Sequence, residues 1–259
     1  MDALKERLRP HLDQNAAAFK VEKWLQIHAG KYPAVYFSLY RTFRTHKDIV
    51  RAVTPDTQLV IEGFPRSGNS FARRAFVSAQ DESFDKTRIA HHLHVPAQVV
   101  RAAQWQIPTL VVIRRPRDAV LSFAAWDPIS VDQALRYYIS FYETAEKYRD
   151  AYVLGLFEEV TEDFGEVIKR INDKFGTTFS MFSHDEENVG KVFTDMDTFA
   201  REKYGETRWE RKVHHPSAVK ERIKQEIEYD LESPKRKKRI AEAVYDRLTN
   251  PVRKPAPGK

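Results

Sequence analysis

A glycine-containing turn carries the clearest chemical signal in this sequence. It reads G-F-P-R-S-G-N-S from Gly63 to Ser70, follows the apolar run 59–61 and precedes a helical pattern at 71–77. Glycines let backbone N–H groups approach an anion closely, and the N-terminus of a helix adds the positive end of its dipole. A strand, a turn and a helix in this order predict a phosphate-binding loop.

The turn has the spacing of the nucleotide-binding loop G-x-x-x-x-G-K-[ST], with one difference, because Asn69 occupies the lysine position. In nucleotide-binding loops that lysine contacts the terminal phosphates of ATP or GTP. Its absence argues against an ordinary NTPase. The cation of this turn is Arg66, three positions earlier.

A second phosphate-binding pattern follows another predicted strand. The apolar run 107–113 leads directly into R-R-P-R-D, which begins at Arg114, and Ser122 lies eight positions after that arginine. An arginine contacts a phosphate dianion through its planar guanidinium group, and a serine one or two turns into the following helix can add a hydroxyl. Both patterns follow strands, and ligands of parallel sheets bind at the carboxyl ends of strands.

Together the two patterns resemble those of sulfotransferases that use 3′-phosphoadenosine-5′-phosphosulfate (PAPS). The segment from Pro65 to Ser70 resembles the 5′-phosphosulfate loop of that family, and Arg114 with Ser122 resembles its 3′-phosphate motif. The resemblance covers residues 57–160 and is to members of bacterial type. It implies a P-loop NTPase-like sulfotransferase fold, PAPS as donor, PAP as product and no metal.

The resemblance also implies roles for individual residues. Arg66 lies where the family places its catalytic lysine or arginine, next to the bridging and leaving oxygens. Arg211 and Lys212 would supply the charges of the glycine-rich R-K-G loop of cytosolic members, which this chain lacks, and Trp209 would stack on adenine. The expected donor-binding residues are Arg66, Ser67, Gly68, Asn69, Ser70, Phe71, Arg114, Ser122, Arg211 and Lys212.

A group of histidines contains the candidate general base. Many members of the family use a histidine as base, which cytosolic members place in K-T-H-L-P, and the matching region here is 88–96. An alignment on H-L-P selects His94, one on H-L selects His92, and the family's lysine is absent from both. Along a strand these two side chains share a face while His91 points away. Histidine accepts a proton near neutral pH. The alternatives are a Zn²⁺ site, for which no third ligand is evident, and a single functional histidine among packing or surface residues.

The elements predicted around these motifs indicate an α/β fold. Apolar strands alternating with helices predict a mostly parallel central sheet covered on both faces, which is a three-layer α/β/α architecture. A further helix is expected from Asp163 to Phe175, with Thr161 as a candidate cap and Gly176 as its stop. The predicted strands are 58–63, 87–93, 109–113 and 152–156, and the predicted helices are 69–79, 97–105, 117–125 and 131–149.

We expect a single domain over 1–249, with a helical lead-in (1–55), a PAPS-binding body (56–160), a helical C-terminal part (161–249) and a disordered tail (250–259). Within the C-terminal part, residues 183–216 show no clear period and are predicted to form a mobile flap. The basic run 235–239 is typical of a solvated helix face, with a polyanion patch as the alternative.

Composition restricts the function further. The 259 residues include no cysteine, which excludes disulfides and thiolate chemistry, and the net charge of +6 suits an enzyme with a highly charged donor more than a nucleic-acid-binding protein. No apolar run is long enough to cross a bilayer and the N-terminus lacks an apolar signal region, so a cytoplasmic location is expected. The aromatic and basic residues of 1–50 predict either packing on the sheet or peripheral membrane contact.

The sequence thus predicts an enzyme that transfers the sulfuryl group of PAPS to a hydroxyl or amine of a small-molecule, glycan or lipid acceptor. Two alternatives stay open. A P-loop small-molecule kinase would place a magnesium-binding aspartate at a strand end, whereas this strand ends in Arg114. A non-catalytic nucleotide- or polyanion-binding module would keep Arg114 and Ser122 without depending on the histidines. Oligomeric state is not indicated.

Overall fold

Four strands form one parallel sheet in the computed structural model, which describes residues 23–43, 51–205, 227 and 235–250. The strands are β1 (Leu59–Gly63), β2 (Ile89–His91), β3 (Thr109–Ile113) and β4 (Val153–Leu156), in the spatial order β2-β1-β3-β4. All neighbouring strands pair in parallel. Because β1 and β3 are central neighbours, the segments that follow them emerge side by side at one edge of the sheet.

The helices that connect and cover the strands begin and end as follows. They are α1 (Pro33–Phe43), α2 (Asn69–Ala79), α3 (Pro96–Gln104), α4 (Pro116–Trp126), α5 (Val131–Glu146), α6 (Phe157–Glu162), α7 (Phe164–Phe175), α8 (Glu186–Tyr204) and α9 (Lys235–Thr249). Residues 23–28 are also helical.

The sheet is covered on both faces. Alternate side chains of a strand point to opposite sides. Val111 and Ile113 of β3 pack with α4, α5 and α9, whereas Leu110 and Val112 pack with α2, α7 and α8. The chain therefore has the predicted three-layer α/β/α architecture with a parallel central sheet.

The structure corrects two predicted elements next to the site. The strand predicted over 87–93 is shorter, because Lys86–Arg88 form a 3₁₀ turn and β2 ends at His91. His92 and His94 adopt left-handed conformations with φ of 57° and 56°. They are not on a strand, so the reason given for their sharing a face was wrong. The helix predicted over 131–149 ends earlier, at Glu146.

The mobile flap predicted over 183–216 was wrong for most of its length, because α8 occupies Glu186–Tyr204. Asp185 caps this helix by accepting the N–H of Asn188, and Val192 and Met196 bury one side of it. Trp209, Arg211 and Lys212 lie outside the described residues, so their predicted roles stay predictions.

The two predictions for the ends of α7 have different outcomes. Asp163, rather than Thr161, caps α7, and Gly176 ends that helix with φ 66° as expected. The basic run 235–239 begins α9, where Lys237 pairs with Asp132. Within residues 23–43, 51–205 and 235–250, no helix is both long and apolar enough to span a membrane.

Candidate active site

The loop between β1 and α2 presents unused backbone donors. Its chain direction is set by two left-handed residues, Arg66 with φ 68° and Gly68 with φ 99°. The first helical hydrogen bond of α2 runs from the N–H of Ala72 to the carbonyl of Gly68, at 3.0 Å. The N–H groups of residues 68–71 precede it and have no acceptor within the described part of the chain. Four such donors at a helix N-terminus can bind an anion, and we call this group the cradle.

Asn69 stabilises this loop from inside. Its side-chain amide donates to the carbonyls of Phe64, at 3.0 Å, and Gly63, at 3.4 Å, and the residue is buried. A lysine at this position would extend to a phosphate, whereas the asparagine ties the start of α2 to the beginning of the loop. Charge for the cradle must therefore come from other residues.

The other loop side chains separate into core and surface groups. Ser67 is fully buried, with its hydroxyl 3.4 Å from that of Tyr142. The ring of Phe71 packs between Phe182 and Phe193, so this residue can contribute only its N–H to a ligand. Ser70 is partly exposed, and its hydroxyl lies 3.0 Å from Nε2 of His92.

The two sequence motifs meet through Arg66. Its Nε donates to the hydroxyl of Ser122 at 3.2 Å, and Nη1 of Arg114 donates to the carbonyl of Arg66 at 3.3 Å. The guanidinium of Arg66 lies 4.1 Å from the ring centroid of Trp126, and that of Arg114 lies 4.0 Å from the ring centroid of Phe157. Stacking on rings fixes both cations beside the cradle.

Arg66 keeps its charge near neutral pH. Burial, together with the neighbouring charge of Arg114, lowers the pKa of Arg66 to about 10. A guanidinium in this state can stabilise negative charge at neutral pH and is a poor proton donor.

The tautomer of His94 follows from its neighbour. Nδ1 of His94 lies 2.8 Å from the carbonyl oxygen of Gly63, which can only accept a hydrogen bond. Nδ1 therefore carries the proton, and Nε2 holds a lone pair that no described residue engages. Burial lowers the pKa of His94 to about 4, so the ring is neutral at physiological pH.

His92 differs from His94 in that both of its ring nitrogens contact other side chains. Its Nε2 contacts the hydroxyl of Ser70, and its Nδ1 lies 2.8 Å from Nδ1 of His91. Both ring nitrogens are thus occupied by protein groups. The rings of His92 and His94 are 5.6 Å apart. In the described ranges, no three histidine, aspartate or glutamate side chains are arranged to hold a metal ion.

Glu62 anchors the segment that carries these histidines. Its fully buried carboxylate accepts the N–H groups of Leu93 at 2.8 Å and His94 at 3.0 Å, the side-chain amide of Gln98 at 2.8 Å, and the N–H of Gly63 at 3.3 Å. Burial raises the pKa of Glu62, and these four donors act in the opposite direction. The carboxylate therefore fixes the left-handed bend that directs His94 to the loop.

Three tyrosines of α5 fix the site segments to one another. The hydroxyl of Tyr137 donates to the carbonyl of His94 at 2.6 Å, that of Tyr138 to Arg114 at 2.8 Å, and that of Tyr142 to Val112 at 2.7 Å. All three rings are fully buried. They belong to the core and are not available to stack on an acceptor.

Sequence reasoning missed Glu62, Trp126 and the function of these tyrosines. A signal existed for Glu62, since it is the one charged residue in the strand L-V-I-E-G immediately before the loop. A charge at a buried strand position requires partners, and these were available only from another segment. No local pattern indicates that Trp126 lies over Arg66.

Comparisons with known proteins give little at the sequence level. No protein-family model and no curated protein matches the chain. Among solved structures, the chain is similar to mouse sulfotransferase SULT7A1 complexed with PAP, with a TM-score of 0.43 and 12% identity, covering 78% of this chain and 87% of that one.

Proposed function

We propose that this protein is a sulfotransferase that moves the sulfuryl group of PAPS to a hydroxyl or amine of an acceptor. The observation that carries the proposal is the meeting of a cradle of four unengaged N–H groups with Arg66, Arg114 and Ser122. This combination provides two clusters of donors and fixed positive charge. A ligand with phosphates at both the 5′ and the 3′ positions uses both.

The donor's phosphates divide between the two clusters. The 5′-phosphate, which becomes the leaving group, is held by the N–H groups of residues 68–71 and the hydroxyl of Ser70. The 3′-phosphate is held by Arg114 and Ser122. Arg66 stands between the clusters, where its permanent charge stabilises the negative charge that develops on the leaving oxygen.

His94 serves as the general base in this proposal. The acceptor oxygen forms a bond to sulfur as the bond from sulfur to the 5′-phosphate oxygen breaks, and the acceptor's proton passes to Nε2 of His94. PAP leaves with the electron pair of the broken bond. His94 is preferred over His92 because its Nε2 has an open lone pair, whereas both nitrogens of His92 are engaged.

Replacing Arg114 by alanine is expected to weaken PAP binding by about 10- to 100-fold, because a charge-assisted contact to the 3′-phosphate is lost. ADP has no 3′-phosphate, so its affinity should change by less than about threefold. Isothermal titration calorimetry with both nucleotides measures the difference.

The matched control is Arg115→Ala, which removes the adjacent charge. Arg115 is exposed and lies over the ring of Tyr245 on α9, away from the loop. Equal losses for PAP and ADP in Arg114→Ala, or a loss of PAP affinity in Arg115→Ala of the same size, would place the 3′-phosphate elsewhere.

A further inference from the structure

A second group of cations lies one turn beyond the phosphate cradle along α2. Arg73 is three positions after Ser70 and therefore on the same side of the helix. Ser70 contacts His92, and His92 contacts His91. The N–H of His91 donates to the carbonyl of Arg51 at 3.1 Å, which brings the backbone of Arg51 to the same place. The guanidinium of Arg51 is close enough to act electrostatically on both Arg73 and His91.

The nearest carboxylate to these cations is already paired. Asp195 acts electrostatically on Arg73 but forms its ion pair with Arg74. Within the described ranges, no carboxylate forms an ion pair with Arg73 or Arg51. Burial and the charges of Arg73 and Arg51 lower the pKa of His91, so this ring is neutral and adds no further charge at neutral pH.

Arg73 also has an unsatisfied buried donor. Its Nε is buried and has no hydrogen-bond acceptor in the described part of the chain. Arg101 shares that property, but its guanidinium lies over the rings of Phe37 and Trp105, at 5.6 and 5.0 Å. No aromatic ring is stacked on Arg73 among the described residues. Buried donors with neither an acceptor nor a ring are uncommon because they cost free energy. The Arg73 side chain as a whole is partly exposed, so an oxyanion from solution can reach its guanidinium and supply the missing partner.

We propose that Arg73 and Arg51 form a subsite for an oxyanion group of the acceptor, which is therefore an anionic molecule carrying a sulfate, carboxylate or phosphate. The identification of the bound molecule as the acceptor rests on the proposed sulfotransferase function, whereas the anion subsite itself does not. The subsite borders His91 and His92, so an acidic group held there places the rest of the acceptor beside His94 and Ser70. The donor's phosphates already have the loop N–H groups, Arg66 and Arg114.

The subsite is tested by NMR with inorganic sulfate as the probe. The side-chain Nε–H resonance of Arg73 is assigned by its disappearance in Arg73→Gln, and that of Arg101 by its disappearance in Arg101→Gln. Sulfate is then titrated into wild-type protein saturated with PAP. We expect the Arg73 resonance to shift in a saturable manner while that of Arg101 stays in place. Arg73→Gln should bind sulfate about tenfold more weakly than Arg101→Gln, because one charge-assisted contact is missing.

The outcomes separate the two proposals. No sulfate-dependent shift of the Arg73 resonance overturns the subsite. PAP that itself shifts this resonance and blocks sulfate also overturns it, because the subsite would then belong to the donor. If PAP fails to perturb the backbone amides of residues 68–71 while sulfate still shifts Arg73, the donor site is wrong and the anion subsite stands.

Discussion

Replacing His94 by asparagine is expected to lower kcat for sulfuryl transfer by about 10²- to 10⁴-fold, the range typical of a lost general base. Asparagine keeps much of the local structure. Its side-chain amide can donate to the carbonyl of Gly63 as Nδ1 of the histidine does, and asparagine tolerates the left-handed φ of 56° at this position. It has no counterpart of Nε2. The measurement is transfer of ³⁵S from labelled PAPS to a panel of alcohols, phenols, sugars and amines.

His92→Asn is the matched control, because His92 has nearly the same φ of 57°. It loses contacts to Ser70 and His91 but no base, so its kcat should fall by less than about tenfold. PAP affinity should remain within about twofold of wild type in both variants. A large loss in His92→Asn with little change in His94→Asn would reverse the assignment of the base.

The pH profile of wild-type kcat/KM provides a second test of His94. A general base works in its neutral form, so activity falls as pH drops through its pKa. Burial, with smaller effects from Lys23, Arg51 and Arg66, lowers that pKa to about 4, against the opposing hydrogen bond to Gly63. The carboxylate of Glu62 also lies 3.9 Å from Nδ1. We expect activity to persist from pH 7 to about 5, whereas an unperturbed histidine would lose it below about 6.5.

Replacing Glu62 by glutamine is expected to reduce the free energy of unfolding by about 2–4 kcal/mol. Each carboxylate oxygen accepts two N–H donors. In either orientation of the glutamine, its NH₂ group faces two of those donors, so two buried N–H groups lose their acceptor. The left-handed residues His92 and His94 also lose the contacts that compensate their backbone conformation. Urea denaturation followed by circular dichroism measures the change.

Glu82→Gln controls for the change of side chain, since Glu82 is exposed. Its effect should be within about 0.5 kcal/mol. A Glu62→Gln variant as stable as this control would show that Glu62 does not support the histidine segment.

The phosphate loop and the Arg114–Ser122 motif could be identified from sequence because each is local. A strand, a turn and a helix follow one another, and the residue types within eight positions determine which groups can contact an anion. The three layers followed from the alternation of strands and helices. The structure confirms that architecture and places both Ser122 and Arg114 within hydrogen-bond distance of Arg66.

The positions of His92 and His94 could not be predicted from local sequence in the same way. The bend at His92 and His94 depends on Glu62, which is 32 positions away from His94 in the sequence. The choice of His94 over His92 depends on which ring nitrogens find partners, namely Gly63, Ser70 and His91. The helix α8 was missed although the capping residue Asp185 precedes it, because its high charge obscured the period of its buried residues.

The central claim is that this chain binds a 3′-phosphorylated nucleotide without needing a metal. Calorimetric titration of the wild-type protein with PAP in EDTA, set beside ADP in EDTA and ATP with Mg²⁺, tests it most directly. We predict that PAP binds in EDTA at least about tenfold more tightly than either other nucleotide, because only PAP offers a phosphate to Arg114 and Ser122. Binding of ATP that requires Mg²⁺, with no preference for PAP over ADP, would contradict the sulfotransferase proposal and favour a kinase.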